Sequence, residues 1–254
     1  MTDTRELAGR VALVTGAARN IGRAIAVALA QGGARVVVHA RSSVEAANQT
    51  VELCRAANGG GSEAAFAHFA DLTDPDAVRG LFDEVETRFG GLDILVHNAA
   101  ERADGPFDTI SYADWRRILG SILDSAFLCD QAALPLLRRS EAASIVHIGG
   151  VAAHVGVRHR AHVSAAKAGV VGLTRALAAD LAAERITVNC ISPAQMDTER
   201  KGELPEHFRQ RPIPLGRPGE PAELAGLVRF LTGPSGRFIT GQTIHLNGGW
   251  HMGQ

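Results

Sequence analysis

Seven short runs of β-branched and other apolar residues recur along the chain, separated by longer Ala- and Leu-rich segments. The runs are VALVT (11–15), RVVVHA (35–40), AFAHF (65–69), DILVHN (93–98), SIVHIG (144–149), ITVNCIS (186–192) and QTIHLN (242–247). They are apolar throughout rather than alternating, which marks strands covered on both faces. Between them, IGRAIAVALAQGG, DAVRGLFDEVETRFG and AKAGVVGLTRALAADLAAE place apolar residues at helical spacing, the last as part of a long helix predicted over 161–183. Strands alternating with helices predict an α/β fold: a Rossmann-type, doubly wound sheet of about seven parallel strands with helices on both faces. No linker-like composition and no repeat interrupts the pattern, so residues 1–254 read as a single domain. The one long irregular stretch, residues 194–219, is rich in Pro, Gly and charge and reads as a lid or substrate loop. Its Arg200, Lys201, Arg209 and Arg211, set against the single aromatic Phe208, point to a polar or anionic ligand.

Composition narrows the function classes. With 46% hydrophobic and 21% charged residues in 254, the chain can bury a large core. A net charge of −1 gives no electrostatic footprint for nucleic acid or an anionic membrane. Three dispersed cysteines, Cys54, Cys129 and Cys190, lack CxxC spacing and read as reduced thiols. There is no apolar run of about 18 residues, and MTDTRELAGR has no apolar signal region. The expectation is a cytoplasmic protein acting on a small molecule, with no nucleic-acid or membrane partner.

The first predicted strand-to-helix turn reads TGAARNIGRA. Gly16 permits a tight turn and Gly22 permits close packing of helix on strand. The backbone N–H groups of Asn20 and Ile21 would face a pyrophosphate at the helix start. Asn20 takes the place of the middle glycine of G-x-G-x-x-G, and Asn tolerates a left-handed backbone better than most residues. The second strand ends at Arg41-Ser42, where an acidic residue would otherwise hold the ribose. With Arg19, Arg41 could pair with a 2′-phosphate, and no carboxylate is evident to repel it. This favours NADP(H) over NAD(H).

Further motifs follow in order: ADLTD after the third strand, HNAA at 97–100, SAAK at 164–167, ITVNCISPAQMDT, and the ending ITGQTIHLNGG. Together with the first turn, they make the whole chain resemble the short-chain dehydrogenase/reductase family, in its ketoacyl-reductase-like branch. The resemblance implies that Asp71 and Leu72 sit at the adenine, with Asp71 taking its amino group, and that Asn98 and Ala99 flank the adenosine. It implies that Lys167 grips the nicotinamide ribose, while Ile191, Pro193 and Thr198 surround the carboxamide and diphosphate. It also implies a homotetramer or homodimer, built on the 161–183 helix and on the tail, with Trp250 and Met252 covered by a neighbouring subunit.

The same resemblance exposes a departure. The family works through an Asn-Ser-Tyr-Lys set, and residue by residue these positions fall on Ile122, Gly150, Val163 and Lys167. The chain's only tyrosine is Tyr112, so no shift of register supplies the missing acid. A positioned general acid contributes about 10²–10⁴-fold to rate. Histidines precede Lys167 in HVGVRHRAH, and an imidazole suits proton transfer near neutral pH. His159 and His162 are therefore the candidate acid–base groups, with Lys167 positioning the cofactor. Asp104 and Asp124 are placed near the pocket mouth. The spacing of His154, His159 and His162 also allows a shared metal ion, but no acidic or Cys ligand accompanies them, and no metal is expected. Three readings stand: an oxidoreductase with a displaced proton relay acting on a carbonyl, alcohol or imine; a catalytically silent dinucleotide-binding or partner protein; and a lyase or isomerase reusing the fold.

Overall fold

The computed structural model describes residues 5–199 and 212–253. Seven parallel strands form one sheet in the order β3-β2-β1-β4-β5-β6-β7. They are β1 (Val11–Val14), β2 (Arg35–Ala40), β3 (Ala65–Phe69), β4 (Ile94–His97), β5 (Ser144–Ile148), β6 (Thr187–Pro193) and β7 (Thr243–Leu246). The helices are α1 (Asn20–Gln31), α2 (Val44–Asn58), α3 (Pro75–Phe89), α4 (Tyr112–Leu119), α5 (Ser125–Leu137), α6 (Ala161–Leu181) and α7 (Pro221–Thr232). The order reverses between β1 and β4, and a doubly wound sheet opens its ligand crevice at such a switch point.

Alternation along each strand sends successive side chains to two separate cores. Ala12, Val14, Val36, Val38, Ile94, Val96, Val146 and Ile148 pack on one face with Ile25 and Leu29 of α1 and Leu224 and Val228 of α7. Val11, Leu13, Val37, Leu95, Ile145 and Val188 face the other side, under Leu81 and Val85 of α3, Ala133 and Leu137 of α5 and Leu181 of α6. The central strands β1, β4, β5 and β6 are thus buried on both faces, which is why their runs are largely apolar, whereas the edge strand β7 is only half-buried. The helix ends follow local chemistry. Asp74 caps α3 by accepting from Asp76 N–H, with Pro75 in the first turn, and left-handed Gly90 closes it.

Between α4 and α5 the helix does not break. Gly120–Asp124 forms one π turn, an inserted residue that re-aims the side chains following it. No helix among the described residues is long and apolar enough to cross a membrane. The predicted loop over 194–219 is described only at its two ends, which are tied together. Asp197 N–H donates to Gly219 O at 2.7 Å, and Gly219 N–H donates to Gln195 O at 3.0 Å. Arg200, Lys201, Phe208, Arg209 and Arg211 lie outside the described residues. Trp250 is 3% exposed and already buried within its own chain, whereas Met252 is exposed.

Candidate cofactor and active site

A cavity of about 740 Å³ runs across the carboxyl ends of β1, β2, β4, β5 and β6, within the size range of small-molecule sites. At one end stands the β1–α1 turn. Gly16 has φ +62, and a Cβ there would come 2.9 Å from Ala99 Cα. A Cβ on Gly22 would come 2.3 Å from Gly16 O. Asn20 is left-handed at φ 52, as its sequence position predicts. Its amide also clamps the loop above the turn: Oδ1 accepts from Glu199 N–H at 3.1 Å and Nδ2 donates to Glu199 O at 3.3 Å.

Polar side chains hold this turn rigid from below. Thr15 Oγ1 accepts from the N–H groups of Asn98 and Ala99, each at 3.0 Å. Asn98 Nδ2 donates to Thr15 O and Gly16 O, each at 3.0 Å. His39 is buried beneath them. Its Nδ1 accepts from Gly16 N–H at 3.2 Å and its Nε2 faces Ala70 O at 3.1 Å, so this pairing selects the Nε2–H tautomer. Burial pushes its pKa down to about 4, keeping the ring neutral. In the sequence, His39 reads as one more residue of an apolar strand.

Of the residues expected at the cofactor, Gly16, Arg19, Asn20, Ile21, Gly22, Arg41, Asp71, Leu72, Asn98, Ala99, Lys167, Pro193 and Thr198 line this one cavity. Ser42 does not, and its neighbour Ser43 takes the place on the wall; Ile191 is buried inside β6. Asp71 is held below the usual carboxylate range by Thr73, whose N–H and hydroxyl both donate to it. The expectation that no carboxylate stands near Arg41 is corrected: Glu101, at the end of β4, pairs with Arg41 Nη1 at 2.7 Å and also with Arg117. Arg41 is largely exposed in that pair, and exposed ion pairs are weak, so a phosphate can displace the carboxylate at little cost.

The residues present fit a dinucleotide. The turn is a cradle that any Cβ would fill, and Thr198 Oγ1 is buried on the wall with no hydrogen-bond partner. Thr198 and the N–H groups of the α1 start would hold a diphosphate. Arg19 and Arg41, on the same cavity wall, would flank the adenosine ribose.

The opposite end has a different character. Lys167 Nζ donates to Ile148 O at 2.6 Å, and burial, helped by Arg160 and Arg102, pushes its pKa down to about 8. Around it, Ile118, Ile122, Val163, Ala166 and Val170 form a third apolar cluster. Gly150 lies on the wall, and a Cβ there would meet nothing within 4 Å. The hydroxyls on this wall are Ser121 and Ser125, one helical turn apart and aimed by the π turn. Their positions are not legible in a sequence read as an unbroken helix.

Asp104 lines the cavity and pairs with Arg160 at 2.7 Å, whereas Asp124 stands off the wall, 3.6 Å from Arg116. From the segment before Lys167, Val157, Arg160 and Val163 reach the cavity. His159 and His162 are not among its lining residues. His159 is left-handed at φ 61 with its carbonyl accepting from Gly105 N–H. His162 is 2% exposed, and Asp114 and Arg117 of α4 are among the charges acting on it. His154 does not meet these two; it lies against His245 and His251. Behind Lys167, His97 and His147 both bond to Asp130, at 2.7 and 3.0 Å. His147 also meets Thr174 at 2.8 Å.

Fold and site together define a class, the short-chain dehydrogenase/reductases, which are oxidoreductases built on a dinucleotide-binding sheet. A family model described as enoyl-(acyl carrier protein) reductase matches residues 16–251, and the chain belongs to this family. It is 37% identical over 244 residues to a 3-oxoacyl-[acyl-carrier-protein] reductase FabG of Staphylococcus aureus, covering 95% of this chain and 98% of that one. It is 39% identical over 248 residues to a 3-oxoacyl-[acyl-carrier-protein] reductase of Synechocystis, covering 97% and 98%. Among solved structures, a dehydrogenase/reductase from Sinorhizobium meliloti superposes with a TM-score of 0.91 at 34% identity, covering 98% of each chain. A short-chain dehydrogenase from Burkholderia cenocepacia in complex with NADP gives 0.88 at 35% identity, covering 96% and 99%.

Proposed function

We propose that the chain is an NADP(H)-dependent oxidoreductase acting on a small carbonyl, alcohol or imine, with Lys167 itself as the acid–base group. When bound, the nicotinamide supplies or accepts the hydride. Arg19 and Arg41 favour the 2′-phosphate form of the cofactor, in keeping with the NADP complex of the Burkholderia relative. The observation that carries the reading is Lys167, on the cavity wall with a pKa near 8. An ammonium has three N–H donors, and one is taken by Ile148 O. The others would be available to a ribose hydroxyl and the substrate heteroatom. An acid titrating near the working pH is suited to proton transfer. Val163, Ile122 and Gly150 stand at the family's Tyr, Asn and Ser positions, so no other member of that set competes with Lys167. An imine already protonated to the iminium needs no proton donor, and its reduction tolerates this site best.

His159 and His162 are the competing acid–base pair, and variants separate the two proposals. With saturating NADPH, the rate of carbonyl reduction should fall as pH rises through about 8. Lys167→Met should lower kcat by about 10²–10⁴-fold, while NADPH titration by fluorescence reports cofactor binding separately. His159→Ala and His162→Ala should keep the parent pH profile. Full activity in Lys167→Met, with loss in either histidine variant, would transfer the role to the histidine.

The apolar cluster of Ile118, Ile122 and Val163 favours a second reading, a dinucleotide-binding protein without turnover. Tight NADP(H) binding with no conversion across carbonyls, alcohols and imines would mark it.

A further inference from the structure

Away from the cavity, three imidazoles converge from parts of the chain that are far apart in sequence. His154 follows the short turn after β5, His245 lies on β7 and His251 lies in the C-terminal tail. None of them lines the cofactor cavity. The ring centroids of His154 and His245 are 4.6 Å apart, those of His245 and His251 4.7 Å, and those of His154 and His251 5.4 Å. One nitrogen from each ring lies within 4.8 Å of the others. His154 Nε2 and His245 Nδ1 are buried with no hydrogen-bond partner. Two orphaned imidazole nitrogens in one half-buried cluster are costly unless something satisfies them.

We propose that His154, His245 and His251 form a three-nitrogen site for a divalent d-block cation such as Zn²⁺ or Co²⁺. The donor set decides the class of ion. Imidazole suits Zn²⁺, Co²⁺, Ni²⁺ and Cu²⁺, whereas Mg²⁺ and Ca²⁺ call for oxygen ligands, and the group of His154, His245 and His251 includes no carboxylate. The ligands must be neutral to bind. Zn–N bonds of about 2.0–2.1 Å need the nitrogens somewhat closer together than they stand. His251, beyond the last strand, can supply that movement. Gly253 keeps the near side open, since a Cβ there would stand 3.1 Å from His245 Nε2 and 3.4 Å from His251 Nε2. Three protein nitrogens leave a fourth position for water. The bound ion would join the turn after β5, the edge strand and the tail into one unit.

The test uses the full chain stripped with chelator, then titrated with ZnCl₂ by calorimetry and with CoCl₂ by visible absorption. One equivalent per chain is expected, with a visible band of four-coordinate Co²⁺ and a higher melting temperature with Zn²⁺; MgCl₂ should do nothing. His245→Ala and His251→Gln should each weaken Zn²⁺ binding by more than the roughly 10–100-fold typical of losing an outer-sphere partner. His251→Gln lies past the last strand, so its circular dichroism should match the parent. His68→Ala, at a half-buried ring on β3 paired with Glu84, should bind as the parent does. Absence of saturable binding at one equivalent, or binding that survives both substitutions, overturns the proposal.

Discussion

At the turn end of the cavity, polar groups fix the backbone. Thr15, Asn98 and His39 each hold a main-chain atom of the β1–α1 turn or of the strand beside it. At the Lys167 end, apolar side chains surround one amine. The first arrangement orders N–H groups for a ligand that is always anionic, so its polar network is worth its desolvation. The second desolvates a single titrating group, which lowers the pKa of that group. Binding and chemistry therefore rest on different physics within one cavity. Each can be damaged without the other.

The largest effect is expected at the turn. Gly22→Ala places a Cβ 2.3 Å from Gly16 O and 2.8 Å from Ala17 Cα, both backbone atoms that cannot swing aside. Overpacking of this kind costs about 3 kcal/mol, the upper end of its usual range, and it displaces the N–H groups of the α1 start. Urea unfolding should show the lost stability, and titration with NADPH should show no saturation. An unchanged affinity would mean that the turn is not the anchor of the cavity.

Much of this turn was legible in the sequence, because its chemistry is local. Gly16, Asn20 and Gly22 act through the backbone of their own loop, so spacing alone exposes them. The strands were legible because their β-branched runs, buried on both faces, hold few polar positions, His39 and His147 among them. The Lys167 end was legible only as a list of absences. That Ile122 and Val163 pack together with Ile118 depends on two helices meeting, and the π turn that places Ser121 and Ser125 leaves no local mark in GSILD. Spacing misled most over the histidines. Neighbours in sequence grouped His154 with His159 and His162, whereas the fold brings it to His245 and His251, more than ninety residues along the chain.

An effect of similar kind, reached by pH rather than by substitution, follows from His39. Its folded pKa of about 4 lies below the ordinary histidine value near 6.5, so the unfolded chain binds more protons between these values. Stability must then rise with pH across the window from about 4 to 6.5, and fall on acidification by up to about 3 kcal/mol. Asp130 contributes in the same direction: burial opposes its ionisation, but His97 and His147 outweigh burial and hold the carboxyl below its ordinary range. Comparing the parent with His39→Asn at pH 7 and pH 5 isolates the His39 share. The variant should lose less stability between the two pH values. Lys167 titrates above this window, so the acid loss should leave the other end of the cavity untouched.

The smallest effect on stability is expected at Gly150, and it sharpens the contrast most directly. A Cβ at this position meets nothing within 4 Å, and its φ of 166 is extended backbone that any residue adopts. Gly150→Ser should therefore change unfolding free energy by less than about 0.5 kcal/mol, as surface-like substitutions do. The new hydroxyl enters the cavity on the segment whose Ile148 carbonyl holds Lys167. If the substrate heteroatom lies beside that amine, a second donor raises kcat for carbonyl reduction by about fivefold, one hydrogen bond being worth about 1 kcal/mol net. The gain should appear in kcat and leave NADPH affinity alone, because the turn is untouched. A gain in affinity with no gain in kcat would show that the cofactor, rather than the substrate, occupies this part of the wall.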